Sequence, residues 1–373
     1  MRERIDENTG RSVYQITDSP EGSTTGYFRS AKHLPGGWIL ARGHPGLIML
    51  HPDSGEVRPL PPDHGAPLGR NAAGEWLFLR QKRQLWCVTQ PFTPQESARL
   101  LGELPEHHVG RLTTVTCDGR HVILAEHHDK SPDAKPPCVR DAAALWRFFN
   151  RPRHGKMWSY DLQTHQLQPM LSRDHGLFIH HDASPADPTL VRFAHDYYDA
   201  YCQRIWTVRV DGSELRPIRP QQRGEFVTHE FWWPGGQLIG YKYQDRRGDP
   251  TIEELPWAEY APRPTRLGLA GLDGREVYLS DPLNHYHSHI YRSLDGALLC
   301  GEGTDGASFV YAARFSIAST QVEFVPHATI HTPYRPFAVG QTVNAGFSQD
   351  NRWLIFNDTL DGVLQICAVR VDL

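Results

Sequence analysis

The stretch Gly224-Glu225-Phe226-Val227-Thr228-His229-Glu230-Phe231-Trp232-Trp233-Pro234-Gly235-Gly236-Gln237-Leu238-Ile239-Gly240-Tyr241-Lys242-Tyr243 decides the fold. Its second half is a tight Pro-Gly-Gly turn feeding an alternating strand along Leu238-Ile239-Gly240-Tyr241. Proline presets one backbone angle and glycine enters conformations closed to other residues, so the tripeptide marks a turn. The first half places a histidine and a carboxylate, His229-Glu230, just ahead of that turn among aromatics. In a repeated β-architecture, such a position lets a chemical group face a central channel.

The same unit of turn, apolar strand, second apolar strand and polar turn recurs along the chain. Outward from the opening stretch, earlier copies begin at Pro35-Gly36-Gly37, Ala73-Gly74, Asp118-Gly119 and Asp187-Pro188. Later ones begin at Asp295-Gly296 and Asp350-Asn351. Seven copies at spacings of roughly 40 to 60 residues predict a single all-β domain over residues 1–373, a seven-bladed β-propeller. The last copy runs out of chain after Leu364-Gln365-Ile366-Cys367-Ala368-Val369, one outer strand short. Thr9 to Thr17 reads as that strand, so the N-terminal segment is expected to pair with blade seven and remove an exposed sheet edge. One segment departs from the β pattern: Asp141 to Asn150 reads as a short helix within an insertion at about 136–153 in blade three. It forms either one wall of a site or a hydrophobic cover.

Composition narrows the function classes. The net charge is −4 and no block of like charges occurs, which argues against a nucleic-acid or membrane surface. A small acidic ligand needs only a few local Arg or Lys and stays open. The N-terminus has no apolar signal core, and no run of about 18 or more apolar residues exists. The six cysteines, Cys87, Cys117, Cys138, Cys202, Cys300 and Cys367, contain no Cys-x-x-Cys pair. Free buried thiols in a cytoplasmic protein are therefore the expectation. The oligomeric state is not readable.

Against this background the chain resembles the oligogalacturonate lyases, seven-bladed propellers that cleave short pectin fragments. The resemblance rests on His229-Glu230-Phe231-Trp232 before the Pro-Gly-Gly turn and on His195 followed by Arg204-Ile205-Trp206 and Asp211-Gly212-Ser213. It also rests on Ser288-His289 through Asp295-Gly296 and on Gly301-Glu302-Gly303, and it runs along essentially the whole chain. It implies a carbon–oxygen lyase acting on short uronic-acid oligosaccharides by β-elimination. A base removes the weakly acidic C5 proton, and cations on the sugar carboxylate stabilise the enolate-like transition state. By this resemblance His229 is the base and Arg204 a carboxylate-binding guanidinium. His195 lies near the substrate, and His289 is one ligand of a manganese-type ion.

The chain departs from the family pattern at Gly340 to Phe347. Thr342 and Asn344 stand where the family carries two histidines, and Gln341 falls near its metal-binding glutamine. Gln341 and Asn344 remain candidate ligands with His289, although losing two imidazoles weakens a manganese site. The reaction is then either metal-assisted or metal-independent. On a strand, His285 and His287 would share a face with His289 and could rebuild a site; otherwise they are rim histidines. Tyr198 and Tyr201, with Tyr197, either stack on sugar rings or pack as an aromatic cluster. Read without the family, His229-Glu230 is either an acid–base group or a hydrogen-bonded pair bracing a turn. His180-His181-Asp182 reads as a structural turn, and Arg204 as either a substrate contact or a blade-to-blade ion pair. The rival function is a non-catalytic sugar-binding or scaffolding propeller.

Overall fold

The structure is a computed structural model. It describes all of the 373 residues except 27–31, 45, 61–64, 82, 107–110, 130–152, 197–202, 249–263, 286, 288, 304–307 and 333–342. The helix expected at 141–150 and the residues Tyr198, Tyr201 and Gln341 lie outside the described part. Arg153, the last residue of the expected insertion, opens a strand.

Seven antiparallel sheets follow one another along the chain, each matching one sequence copy. Blade five shows how the opening stretch folds. Glu225–Trp232 pairs with Leu238–Asp245, which pairs in turn with Arg266–Gly271 and then Glu276–Leu279. The connecting turn places Gly235 at φ 82° and Gly236 at φ 70°, and the Gly236 amide donates to the Trp233 carbonyl at 3.0 Å. Side chains with a Cβ rarely adopt those angles, which is why the punctuation there is Pro-Gly-Gly.

Contacts gather the chain into two compact units. One unit holds blades two to five, within Gly65–Arg263 and Gly268–Leu279. The other holds blades one, six and seven, within Met1–His64 and Ser280–Leu373, together with Pro264–Leu267.

In the first unit the core lies between successive sheets. Leu77 and Leu85 of blade two meet Val122, Leu124 and Tyr160 of blade three. Ile123 and Met157 of blade three meet Phe178, Val191 and Phe193 of blade four. Leu190 and Ile205 of blade four meet Val227, Trp232 and Tyr241 of blade five. Each middle strand is covered on both faces, so Leu238–Asp245 is buried over six consecutive positions. Burying each such side chain contributes about 1.5 to 3 kcal/mol.

The second unit is built the same way, with Ile39 and Leu50 of blade one against Trp353, Ile355 and Ile366 of blade seven. The expected closure forms here. Ser12–Gln15 pairs with Val363–Arg370 through Val13 to Val369, Tyr14 to Ala368 and Gln15 to Cys367. A further strand, Arg2–Ile5, pairs outside it and was not foreseen. Asp6, which follows that outer strand, fastens the arrangement. Its buried carboxylate accepts from the Thr329 amide of blade six at 2.7 Å and from the Thr9 amide at 2.9 Å. Burial works against ionisation of Asp6, but the hydrogen bonds from Thr329 and Thr9 lower its carboxyl below the ordinary value. Cys87, Cys300 and Cys367 are free and buried, as the spacing suggested, and Cys117 is free and half-buried; Cys138 and Cys202 lie outside the described residues.

A depressed carboxyl stabilises the fold above its unfolded pKa of about 3.9 and loses that contribution as pH falls through the lower folded value. Asp6→Ala is therefore expected to cost about 1.5 to 3 kcal/mol at neutral pH, because two partly buried amides lose a charged acceptor. Urea denaturation at pH 7 and in strong acid measures this, with the gap to the parent protein shrinking in acid.

Candidate functional site

Two histidines occupy matching bulges on the first strands of blades four and five. In blade four, Ile179 pairs with Ala194 and Asp182 with Arg192, so His180 and His181 together oppose one residue. In blade five, Thr228 pairs with Lys242 and Phe231 with Gly240, so His229 and Glu230 do the same. The first bulge residue is left-handed in both, at φ 53° for His180 and φ 54° for His229. A non-glycine residue in that region stores strain of about 1 to 3 kcal/mol, and bulges re-aim the side chains they carry.

Glu230, with a fully buried side chain, is the centre of the site. Its Oε1 accepts from His180 Nδ1 at 2.8 Å and lies 3.3 Å from Arg192 Nη1. Its Oε2 accepts from Arg204 Nε at 2.8 Å. Arg204 also donates to Asp196, and Arg192 Nη2 donates to Asp182 at 3.2 Å. The Asp182 carbonyl in turn accepts from Trp232 Nε1 at 3.1 Å. Burial alone would raise the Glu230 carboxyl. The Arg204 guanidinium, the His180 hydrogen bond and Arg192 outweigh it and hold the group well below the usual carboxylate range. His180 moves down as well, because burial disfavours the imidazolium and the Arg204 cation adds to this against the pull of Glu230. An ionised carboxylate only accepts, so His180 Nδ1 carries the proton that faces Glu230, and the lowered imidazole favours the neutral ring.

His229 is the residue before Glu230 in the same bulge, and Glu230 bonds Arg204. Arg204 is engaged by two protein carboxylates and bridges blades four and five. His195 is placed elsewhere. Its Nε2 donates to the His175 carbonyl at 2.7 Å and its ring packs 5.6 Å from Phe178. It lines a cavity of about 140 Å³ with Leu171, Phe193 and Trp206, while Asp196, the next residue, reaches Arg204. Alternation along an extended chain sends the two side chains in opposite directions.

The metal candidates lie in the other unit. His289 Nδ1 is hydrogen-bonded to Glu302, whose second oxygen accepts from the Ala345 amide at 3.2 Å. Asn344 is buried in a left-handed conformation at φ 49°, and its Nδ2 donates to the Thr25 carbonyl at 3.3 Å. His285 and His287 precede the strand His289–Arg292 and do not extend its face. His287 is fully buried, with its ring 4.1 Å from Phe324 and 5.1 Å from Tyr311, and His285 stacks on Tyr311 at 4.6 Å. A Cβ at Gly301 would fall 2.4 Å from His287 Nδ1, so only glycine leaves room for that ring. Among the described residues no three His, Cys, Asp or Glu side chains converge as a ligand set. Among the described candidates, His289 and Glu302 supply one imidazole and one carboxylate, and the buried Asn344 Oδ1 has no hydrogen-bond partner; nitrogen and oxygen donors of these kinds suit the manganese ion that the resemblance implies.

Sequence reasoning read His180-His181-Asp182 as a turn and missed Arg192 and Asp196. The one available signal was the shared pattern of a histidine followed by a second polar residue, His180-His181 and His229-Glu230, at the same place in adjacent repeats.

Comparison with known proteins agrees with the family read from the sequence. No family model matches the chain. An oligogalacturonide lyase of Pectobacterium atrosepticum is 28% identical over 181 residues, which is 47% of this chain and 41% of that protein. An oligogalacturonate lyase of Dickeya dadantii is 27% identical over 179 residues, 47% of this chain and 40% of that protein. The matches thus span about two-fifths of these relatives' length. The crystal structure of an oligogalacturonate lyase from Vibrio parahaemolyticus superposes with a TM-score of 0.72 at 19% identity, covering 100% of this chain and 96% of that one. An oligogalacturonate lyase in complex with manganese gives a TM-score of 0.73 at 19% identity, with the same coverage. The chain is thus similar to the oligogalacturonate lyases in sequence and shares their fold, the seven-bladed β-propeller.

Glu230→Gln keeps the shape of the side chain and removes its charge, leaving two buried guanidinium groups without it. The expected loss is about 3 to 5 kcal/mol, measured by urea denaturation at pH 7. Because the Glu230 carboxyl is depressed, its contribution is present above the ordinary glutamate pKa. The difference between the two proteins closes only as pH falls through the depressed value.

Proposed function

We propose that the protein is a lyase of short uronic-acid oligosaccharides, with oligogalacturonate the first candidate, and that it works by β-elimination. The observation that carries this reading is the bulge that presents half-buried His229 in a left-handed conformation beside the buried Glu230 network. A strained histidine braced by an ion-pair cluster suits a base that must be held in place. The similarity to oligogalacturonate lyases supplies the substrate class.

In the proposed reaction His229 takes the C5 proton, which lies α to the sugar carboxylate. The freed electron pair forms the C4–C5 double bond, and the bond from C4 to its glycosidic oxygen breaks. The departing oxygen gains a proton and leaves an unsaturated uronide. Arg204 acts through Glu230 as a positioning residue, because protein carboxylates hold its guanidinium.

The test is the ultraviolet absorbance of the conjugated product from a panel of uronic-acid oligosaccharides, with chelator and with added manganese. His229→Ala is expected to lower kcat by about 100-fold or more while retaining substrate binding. Parent protein that binds oligogalacturonate and forms no product from any uronide would instead favour the sugar-binding reading.

A further inference from the structure

The cavity beside His195 lies wholly within the unit of blades two to five, between the outer strand of blade three and the sheet of blade four. Strand pairing explains its walls. In blade four Phe178 lies opposite His195, and Phe193, two residues before His195, lies opposite Trp206. Residues opposite one another, and residues two apart on a strand, share a face, so these four side chains form one surface. In blade three Leu171 and Arg173 are likewise two apart on the strand Gln166–Asp174 and line the cavity from the other side. Phe178 and Phe193 are buried and meet edge to face at 5.3 Å, whereas Arg173 is exposed. The cavity thus has an apolar floor and a cationic rim.

The charge at the rim is not spent within the protein. The Arg173 guanidinium lies 5.9 Å from the centre of the Trp206 ring and has no hydrogen-bond or ion-pair partner among the described residues. Asp174, which also lines the cavity, is engaged by His154 at 3.0 Å. Burial lowers the His195 imidazole against the pull of the His175 carbonyl, and Arg173 lowers it further, so His195 adds no second full charge at neutral pH. A guanidinium fork matches the two oxygens of a carboxylate. Size and lining select the rest of the ligand. The cavity measures about 140 Å³, and a dry cavity of about 150 Å³ in another protein takes up benzene, so one six-membered ring fits. A sugar ring would bring several hydroxyls against Leu171, Phe178 and Phe193, which cannot pair with them. A flat apolar ring needs no such partners and can lie against Trp206.

We propose that this cavity is a binding site for a small aryl carboxylate, with the ring against Phe193 and Trp206 and the carboxylate on Arg173. The site is separate from the network around Glu230, because His195 turns into the cavity while Asp196, the next residue, turns to Arg204. The inference goes beyond the lyase reading and does not depend on it.

The experiment is a titration of the full chain with benzoate, followed by nitrogen–proton NMR of the tryptophan indoles, with the Trp206 signal assigned from Trp206→Phe. The Trp206 Nε1–H donates to the Gln203 carbonyl at 2.8 Å, which holds the reporter at the cavity wall. The expected result is a saturable shift of that signal with a Kd on the order of 1 mM, in keeping with so small a ligand. Arg173→Met is expected to weaken benzoate about fivefold and Arg173→Lys to recover part of the loss. Benzyl alcohol, which keeps the ring and lacks the charge, binds the parent and Arg173→Met equally, and galacturonate leaves the signal unmoved. A parent-like Tm for Arg173→Met shows that the loss is not misfolding; should its Tm fall, Arg173→Gln takes its place. Absence of a saturable Trp206 shift with benzoate overturns the inference, and so does unchanged benzoate affinity in the Arg173 variants. Galacturonate binding at Trp206 as tight as benzoate, or tighter, overturns the aryl assignment.

Discussion

Glu230 enters the interior as an anion, and the chemistry of blades four and five is arranged around that charge. A carboxylate without solvent is costly unless it is matched, and here two guanidinium groups and an imidazole N–H match it. Each partner is fixed in turn: Arg204 by Asp196, Arg192 by Asp182, and Asp182 by the Trp232 indole. The result is a network in which His180 has a single low-energy tautomer. His229, one residue from the anion, inherits a rigid backbone. The strain of two left-handed histidines persists because the surrounding ion pairs over-determine it.

The rest of the fold supplies that rigidity cheaply. Sheets covered on both faces place apolar side chains from neighbouring blades against one another, so each blade fixes the next. The N-terminal segment completes the pattern by adding its strands to blade seven and anchoring Asp6 on blade six. An edge that would otherwise offer unpaired amides to another chain is thereby occupied.

Much of this was legible in the sequence. The Pro-Gly-Gly and Asp-Gly turns recur because the backbone angles they need exclude other residues. The seven apolar strand pairs follow from burial on both faces. The pairing of Val13 with Val369 could be read from a last copy that lacked an outer strand. The bulges could not be read, because a bulge is a mismatch between two strands and leaves no mark on either one alone. His180 consequently looked like part of a turn. Likewise, Arg204 carries no sign in its own segment that Asp196 and Glu230 engage it. His287 looked like a candidate ligand and is a packed core ring, a role set by the absent side chain of Gly301 more than ten residues away.

The claim on which the site depends most is that Glu230 stays ionised and fixes the proton of a neutral His180 on Nδ1. Nitrogen NMR of the histidine side chains at pH 7 tests it directly, with Glu230→Gln to assign the signal. The account predicts a neutral His180 imidazole protonated at Nδ1, a tautomer preference lost in the variant. A doubly protonated His180 at that pH, or a neutral ring protonated at Nε2, would contradict it.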